Sequence, residues 1–187
     1  MTEKEDYAIV LDYLPYGYPL ENKMIPVVQA VGKKNLILLH LVPRKGVKIE
    51  PKEVVYIGDD KRDKIQFIKG RLHRERLTEN AKAILLEVIK EYVKENEKFF
   101  VEFFNKAEAI NTRLHQFELL PGFGNKHAQD LIKEREKGEF KSFEDIKNRV
   151  PGLPDVQKAI EKRLFEELTE MQRYNLFIKW KSKIKTN

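Results

Sequence analysis

The chain has 187 residues, of which 41% are hydrophobic, and this is enough apolar material for one packed domain or two small ones. Its net charge of +6 favours a polyanionic partner, although 35% of the residues are charged and both signs are abundant. The absence of cysteine excludes disulfides, zinc–thiolate sites and cysteine nucleophiles, and no apolar run approaches the ~18 residues of a transmembrane helix. Because the N-terminus is acidic, unlike that of a signal peptide, we expect a cytoplasmic protein with no membrane partner.

The first third of the chain predicts β-structure. Short segments rich in Val, Ile, Leu and Tyr alternate with turn residues, and no helical period intervenes. The predicted strands are 7–14, 25–31, 36–42, 53–57 and 65–69. Five such strands predict a small β-barrel of the OB-like or SH3-like kind, and both types stay open.

The hydrophobic period changes to that of a helix at Thr78. Thr78 is placed to cap the helix, and Ala81, Leu85 and Val88 follow at helical spacing. The phenylalanine-rich block at 99–104 is interpreted as the packing seam between the barrel and the C-terminal helices rather than a ligand site. The predicted division is a β-barrel domain, linking helices and a helical domain with a basic tail, at 1–72, 73–110 and 111–187.

The C-terminal half carries the motif on which the functional interpretation depends. We expect a helix over 112–119, a turn over 120–124 and a second helix over 125–136. This segment resembles a helix-hairpin-helix, in which an apolar residue, a glycine, an apolar residue and a second glycine form the turn, and a small residue follows in the next helix. Those places are taken by Leu120, Gly122, Phe123, Gly124 and Ala128.

The chemistry predicted for this turn is the binding of a phosphate group. Glycines allow a sharp turn and a close backbone approach, so we expect the amides of Gly122, Gly124 and Asn125 to be free at a helix N-terminus, where anions bind. A cation in the first turn of a helix is repelled by the positive end of the helix dipole, and a bound anion would offset this repulsion. The predicted site consists of Gly122, Phe123, Gly124, Asn125, Lys126 and His127, with Phe123 as the apolar plug.

A weaker copy of the motif follows 30 residues later, at Gly152. Ser142 is expected to start a short helix, and a second helix is expected from Asp155. The spacing resembles that of tandem hairpins that grip the backbone of a duplex. The copy departs from the pattern at Pro154, since proline has no amide to offer a phosphate. The alternative is that both copies are ordinary helical hairpins with glycine C-caps.

Two further segments are candidates for contacts with nucleic acid. Tyr16 and Tyr18 lie in the loop after the first strand, where tyrosines either stack on bases or cover the end of a barrel. The tail carries Lys179 and Lys181 beside Trp180 and has no acidic residue after position 170. This composition suits an arm that follows phosphates, or simply a solvated helix end.

No pattern typical of a catalytic centre is present in the sequence. It lacks a phosphate loop and a dinucleotide fingerprint, its histidines show no metal-binding spacing, and its serines do not lie in a nucleophile elbow. We therefore expect no enzymatic activity, no cofactor and no metal.

At the level of the whole chain, the segments 6–14, 54–58 and 112–122 resemble the archaeal DUF655 family, which is uncharacterised. The resemblance implies a barrel followed by a helix-hairpin-helix domain and a role in binding RNA or DNA, with no catalytic residues to carry over.

The predicted fold class is α+β, a five-stranded barrel followed by an all-α tandem helix-hairpin-helix domain. The predicted function is non-catalytic, sequence-independent binding of nucleic acid, with RNA preferred to DNA because tyrosines in the barrel loop suit unpaired bases. The alternatives are a DNA-binding protein, and a protein-interaction scaffold or accessory subunit of a ribosome, transcription or repair complex.

Overall fold

The computed structural model describes residues 4–179, which divide into two compact units. Unit 1 comprises residues 4–88 and 168–170, and unit 2 comprises residues 89–167 and 171–179. No helix within the described part of the chain is long and apolar enough to cross a membrane. The domain boundaries predicted from the sequence, at positions 72 and 110, differ from the boundary between these two units. They stay a prediction about which segments fold on their own.

Unit 1 is built on one antiparallel sheet of five strands in the order β4-β1-β2-β3-β5. The strands are β1 Tyr7–Leu14, β2 Val27–Gly32, β3 Leu38–Pro43, β4 Val54–Tyr56 and β5 Ile65–Arg71. All five predicted strands are confirmed, because alternation and turn residues are local signals. The barrel is confirmed only as a curled half-barrel, since β4 and β5 are the edge strands of the sheet within residues 4–179.

One face of the sheet carries the apolar core of unit 1. Val28 and Ala30 of β2 and Leu39 and Leu41 of β3 pack there with the apolar side chains of the other strands. Strands β2 and β3 are buried along their whole length, so their second face is also covered. That second face carries polar side chains, which therefore need partners.

A row of polar residues crosses the second face, in which Asp12 pairs with Gln29 and Gln29 with His40 in the strand register. The Gln29 amide is completely buried, accepts the Thr78 N–H at 3.1 Å and donates to the Arg76 carbonyl at 2.7 Å. The Thr78 hydroxyl donates to Asp12 at 2.6 Å. This row therefore holds the start of helix α1 (Glu79–Glu95) against the sheet.

The cap predicted at Thr78 is confirmed, because its Oγ1 accepts the Ala81 N–H at 3.0 Å. The remaining helices are α2 Glu97–Lys106, α3 Asn125–Arg135, α4 Phe143–Arg149 and α5 Val156–Thr169, with short 3₁₀ helices at Arg74–Arg76 and Gln116–Leu119. Ser142 caps α4 as predicted, accepting the Asp145 N–H at 2.9 Å.

The helix predicted over 112–119 is wrong. A turn closed by the Ile110 N–H and the Leu114 carbonyl (2.8 Å) precedes the short 3₁₀ helix. The Asn111 side chain accepts the Arg113 N–H at 2.8 Å. Such local side-chain bonds compete with helical ones, which is why the periodicity of the apolar residues was misleading here.

The phenylalanine block packs inside unit 2. Phe100 and Phe104 are fully buried, and the Phe104 ring stacks on Phe117 with a centroid distance of 5.5 Å. Phe103 and Phe100 each meet Phe177 edge to face at 5.2 Å. These rings form the aromatic centre of this unit.

Arg149, at the end of α4, connects three segments of unit 2. Its guanidinium donates to the carbonyls of Glu134 and Gly138, both at 2.8 Å, and to the Glu139 carbonyl at 3.0 Å. It also pairs with the carboxylate of Glu134 at 3.2 Å. The guanidinium therefore satisfies carbonyls at and beyond the C-terminal end of α3, which have no partner within that helix.

We predict that Arg149→Ala lowers the free energy of unfolding by about 1–3 kcal/mol, because one half-buried and two exposed carbonyls lose a charged donor together. Denaturant titration followed by circular dichroism would measure this loss. Lys147→Ala is the matched control, because Lys147 is exposed on the same helix, and we expect a change within about 0.5 kcal/mol. Equal stability of the Arg149 variant and the wild type would contradict the proposed role.

His40 makes the stability of the protein depend on pH. Burial lowers its pKa below the ordinary value of 6.5, and the charges of Lys69 and Arg76 act in the same direction, opposed by Glu21. The unfolded chain therefore binds a proton at His40 more readily than the folded protein does. The neutral imidazole makes its full contribution to the free energy of unfolding above pH 6.5, and this contribution is lost as the pH falls through the lower, folded-state pKa.

We predict that His40→Gln flattens the stability profile below about pH 6.5, where the wild type loses the contribution of the neutral imidazole. Denaturant titration of the wild type and the variant across this range is the measurement. On acidification the wild type should lose more of its free energy of unfolding than the variant does. Parallel plots of this free energy against pH would contradict the assignment to His40.

Candidate nucleic-acid interface

The turn between the 3₁₀ helix and α3 is seated by apolar side chains. Leu120 and Phe123 are buried, and the Phe123 N–H donates to the Leu120 carbonyl at 3.0 Å. On the N-terminal side, the Nδ1 of His115 accepts the Phe117 N–H at 3.1 Å. Phe123 thus occupies the plug position expected for it, and it holds the turn rather than offering its ring to solvent.

Gly122 is the residue in this turn that needs glycine for its conformation. Its φ is +83°, in the left-handed region, and a Cβ there would lie 3.3 Å from the Cγ of Pro154. Gly152 takes the equivalent conformation in the second turn, with φ +91°. The two Pro-Gly turns therefore share a backbone conformation, and the first lies beside the proline of the second.

Gly124 is different, because the fold does not require glycine at this position. Its φ of −112° and ψ of −175° are extended, and a Cβ there would meet no atom within 4 Å. Any residue can adopt this conformation. The space beside Gly124 is open to solvent and leaves room for a close approach to the backbone.

The prediction that the Gly124 amide is free is wrong. His127 turns back over the helix start, and its Nδ1 accepts the Gly124 N–H at 3.1 Å. The first helical hydrogen bond is donated by Ala128 to the Gly124 carbonyl at 3.1 Å. The amides of Asn125 and Lys126 precede that bond and have no acceptor within residues 4–179, so they are the donors that face outward.

The start of α3 has no negative charge of its own. It has no acidic residue in its first turn, whereas α1, α2 and α4 begin with Glu79, Glu97 and Glu144. The exposed Lys126 adds a positive charge where the helix dipole is already positive. This combination favours an external anion.

The helix that follows the second Pro-Gly turn, α5, does not start with a comparable site for an anion. The carboxylate of Asp155 accepts the Lys158 N–H at 2.9 Å at the start of α5. Because Pro154 has no amide and Asp155 brings a negative charge, this helix start is unsuited to a phosphate. Gly152 stays a predicted contact, but its environment fits a supporting turn better.

The two tyrosines of the β1–β2 loop differ in their surroundings. Tyr16 is 73% exposed. Tyr18 is half-buried, its hydroxyl accepts from the Gln29 amide at 3.2 Å, and the guanidinium of Arg76 lies 4.8 Å from the centre of its ring. Tyr16 is therefore free to stack on a base, whereas the ring of Tyr18 is already engaged.

The tail prediction is covered in part by the structure. Lys179 is exposed, whereas Lys181 and Trp180 lie outside the described residues. The segment before Lys179 is anchored by the buried carboxylate of Glu167, which accepts the amide of Leu176 at 2.6 Å. Burial raises the pKa of Glu167 despite this bond.

Sequence reasoning missed a basic stretch on β5 and in the turn after it. Residues 64–76 contain five basic side chains and a single acidic one, Glu75. The basic residues are Lys64, Lys69, Arg71, Arg74 and Arg76. This local excess was the available signal, and it was hidden because the first 70 residues are nearly neutral as a whole. Within residues 4–179, no three side chains of histidine or acidic residues are grouped as a metal would need.

Comparison with known proteins places the chain in a family. It is 44% identical over 185 residues to the uncharacterized protein MJ0038 of Methanocaldococcus jannaschii, which covers 98% of this chain and 84% of the relative. The crystal structure of Af1531 from Archaeoglobus fulgidus superposes with a TM-score of 0.77 at 44% identity, covering 92% of this chain and 99% of the other. The family described as a protein of unknown function (DUF655) matches residues 4–179. Because these matches span nearly the whole chain, the predicted resemblance is confirmed and the chain belongs to the DUF655 family.

Proposed function

We propose that this protein is a non-catalytic nucleic-acid-binding protein that holds a backbone phosphate at the start of α3. The observation that carries the proposal is the opening at Gly124, where the backbone is unobstructed and the following amides of Asn125 and Lys126 have no acceptor within residues 4–179. A phosphate oxygen would accept those amides and neutralise both the helix dipole and Lys126.

The proposed architecture is a tandem helix-hairpin-helix in which the short 3₁₀ helix at Gln116–Leu119 takes the place of the first helix, and the two hairpins have unequal roles. The likeness of the turns at Gly122 and Gly152, and the approach of Pro154 to Gly122, support the pairing. The carboxylate cap at Asp155 supports a division in which the first hairpin binds and the second braces it.

RNA is the proposed ligand in preference to DNA. Tyr16 exposes its ring in a loop beside Pro15, and single-stranded regions of RNA offer unpaired bases to such rings. Phosphate contacts do not read bases, so binding through the hairpin is expected to be independent of sequence and strongly dependent on salt.

We predict that Gly124→Val abolishes hairpin binding while the protein stays folded. Valine is compatible with the extended backbone, and its Cβ would meet no protein atom within 4 Å, but the side chain fills the space through which a phosphate would approach. Fluorescence anisotropy with labelled duplex RNA would measure binding, and circular dichroism would verify the fold. If the folded variant bound RNA with wild-type affinity, the turn would only connect two helical segments. That result would favour the alternative function, a scaffold that binds other proteins.

We predict that Lys126→Ala reduces the slope of log K against log salt concentration by about 0.9 for a duplex, since one phosphate contact is lost. Lys133→Ala, on an exposed position of the last turn of α3, removes the same charge and should leave the slope unchanged. An equal effect of both substitutions would show that only the net charge matters.

We predict that Tyr16→Ala weakens the binding of single-stranded RNA by about 1–3 kcal/mol and leaves duplex binding unchanged, because stacking requires an unpaired base. Titration of both ligands by anisotropy tests this. Tyr7→Ala, at a half-exposed tyrosine of β1, is the control for losing an aromatic surface side chain. Equal losses for both RNA forms would contradict stacking.

A further inference from the structure

Strand β5 presents an exposed aromatic ring beside unpaired cations at the edge of the sheet. Phe67 is 46% exposed, and Lys69 and Arg71 are exposed two and four residues further along the strand. A bulge at Lys69 interrupts the alternation, so these side chains share the edge of the sheet rather than one of its faces. β5 pairs with β3 on one side, and within residues 4–179 no strand covers its other side. The edge is thus open to a ligand.

Only part of the positive charge here is paired within the described residues. Lys64 is paired with Glu53, and Arg76 is paired with Glu21 at 2.5 Å. Lys69 and Arg71, by contrast, make no ion pair or side-chain hydrogen bond with another residue in the range 4–179. Two exposed cations therefore follow the exposed ring along the strand, and their positive charge is complementary to that of a polyanion.

Edge strands often carry charged residues that prevent sheets from joining, and this accounts for a lysine or arginine at such a position. It does not account for Phe67, because an exposed aromatic ring on an edge strand promotes the very association that the charges oppose. A ligand that covers this ring would also have to accept the adjacent positive charge.

The register of β5 argues against a protein strand as that partner. The ladder with β3 shifts twice, between His40 and Leu41 and again between Val42 and Pro43. These bulges bend the strand and interrupt the regular spacing of amides and carbonyls that an added strand would need. A ligand bound through side chains has no such requirement.

We propose that the outer edge of β5 binds unpaired nucleotides, with a base stacked on Phe67 and neighbouring phosphates paired with Lys69 and Arg71. Stacking on an aromatic ring combined with cations that follow the backbone is the general way in which proteins hold single strands without reading their sequence. This surface goes beyond the hairpin contact and uses none of its residues, so either one can fail while the other holds.

The test uses the full-length protein and a labelled oligouridylate, with a duplex RNA of the same length as the second ligand. Phe67→Ala should weaken oligouridylate binding about tenfold and leave the duplex unaffected. The double variant Lys69→Ala with Arg71→Ala should lower the salt slope for the single strand by about 1.4, which corresponds to two contacts at about 0.7 each.

Matched controls separate a specific surface from general effects. Phe99→Ala removes a ring that is 60% exposed elsewhere, and Lys90→Ala removes an exposed charge from α1. Both should bind oligouridylate as the wild type does. If Phe67→Ala melts early, Phe67→Leu keeps an apolar side chain in place and should still lose affinity, whereas Phe67→Tyr should retain it.

Wild-type affinity of the folded Phe67 and Lys69/Arg71 variants for oligouridylate would overturn the proposal, as would a loss no larger than that of the controls. The proposal would also be overturned if the wild type failed to bind oligouridylate at low salt. The outer edge of β5 would then be better explained as a contact surface for a protein. The Gly124→Val variant, measured in parallel, distinguishes these outcomes from failure of the hairpin, because it should lose the duplex and keep its β5 contacts.

Discussion

Arginine side chains that bind helix-end carbonyls hold unit 2 together. Its helices are short, and such helices are marginal alone because the last carbonyls of each have no partner within the helix. Arg135 donates to the carbonyls of Phe104 and Ala107, at the end of α2, and Arg149 does the same for α3. The buried Arg163 binds the Tyr174 carbonyl, beyond the end of α5. The turns between these helices are positioned by these contacts.

This use of arginine changes how the positive charge of the chain should be interpreted. A guanidinium that is half-buried among carbonyls and carboxylates stabilises the fold and is not offered to a ligand. Arg149 pairs with Glu134 in this way, and the more exposed Arg76 pairs with Glu21 at the surface. The cations left for a polyanion are exposed ones such as Lys126, Lys69 and Arg71, so the relevant quantity is unpaired charge rather than net charge.

The two proposed surfaces use different chemistry. At the start of α3 the donors are backbone amides, which a side-chain truncation leaves in place, so the site is tested by filling the space at Gly124. On β5 the contacts come from the side chains of Phe67, Lys69 and Arg71, which can be deleted one by one. A backbone site suits a phosphate in either duplex or single strand, whereas an aromatic ring discriminates in favour of unpaired bases.

Local sequence patterns determined the five strands, the caps at Thr78 and Ser142, the family and the position of the Pro-Gly turns, because alternation, capping and glycine conformations depend on neighbouring residues. They failed at 112–119, where side-chain bonds to the backbone replaced a helix. Only the tertiary structure decided which groups are free. The Gly124 amide is taken by a histidine within the same turn, but Tyr18 and Arg76 are occupied by residues 11 and 55 positions away. Such pairings depend on which segments the fold brings together, and no local pattern encodes them.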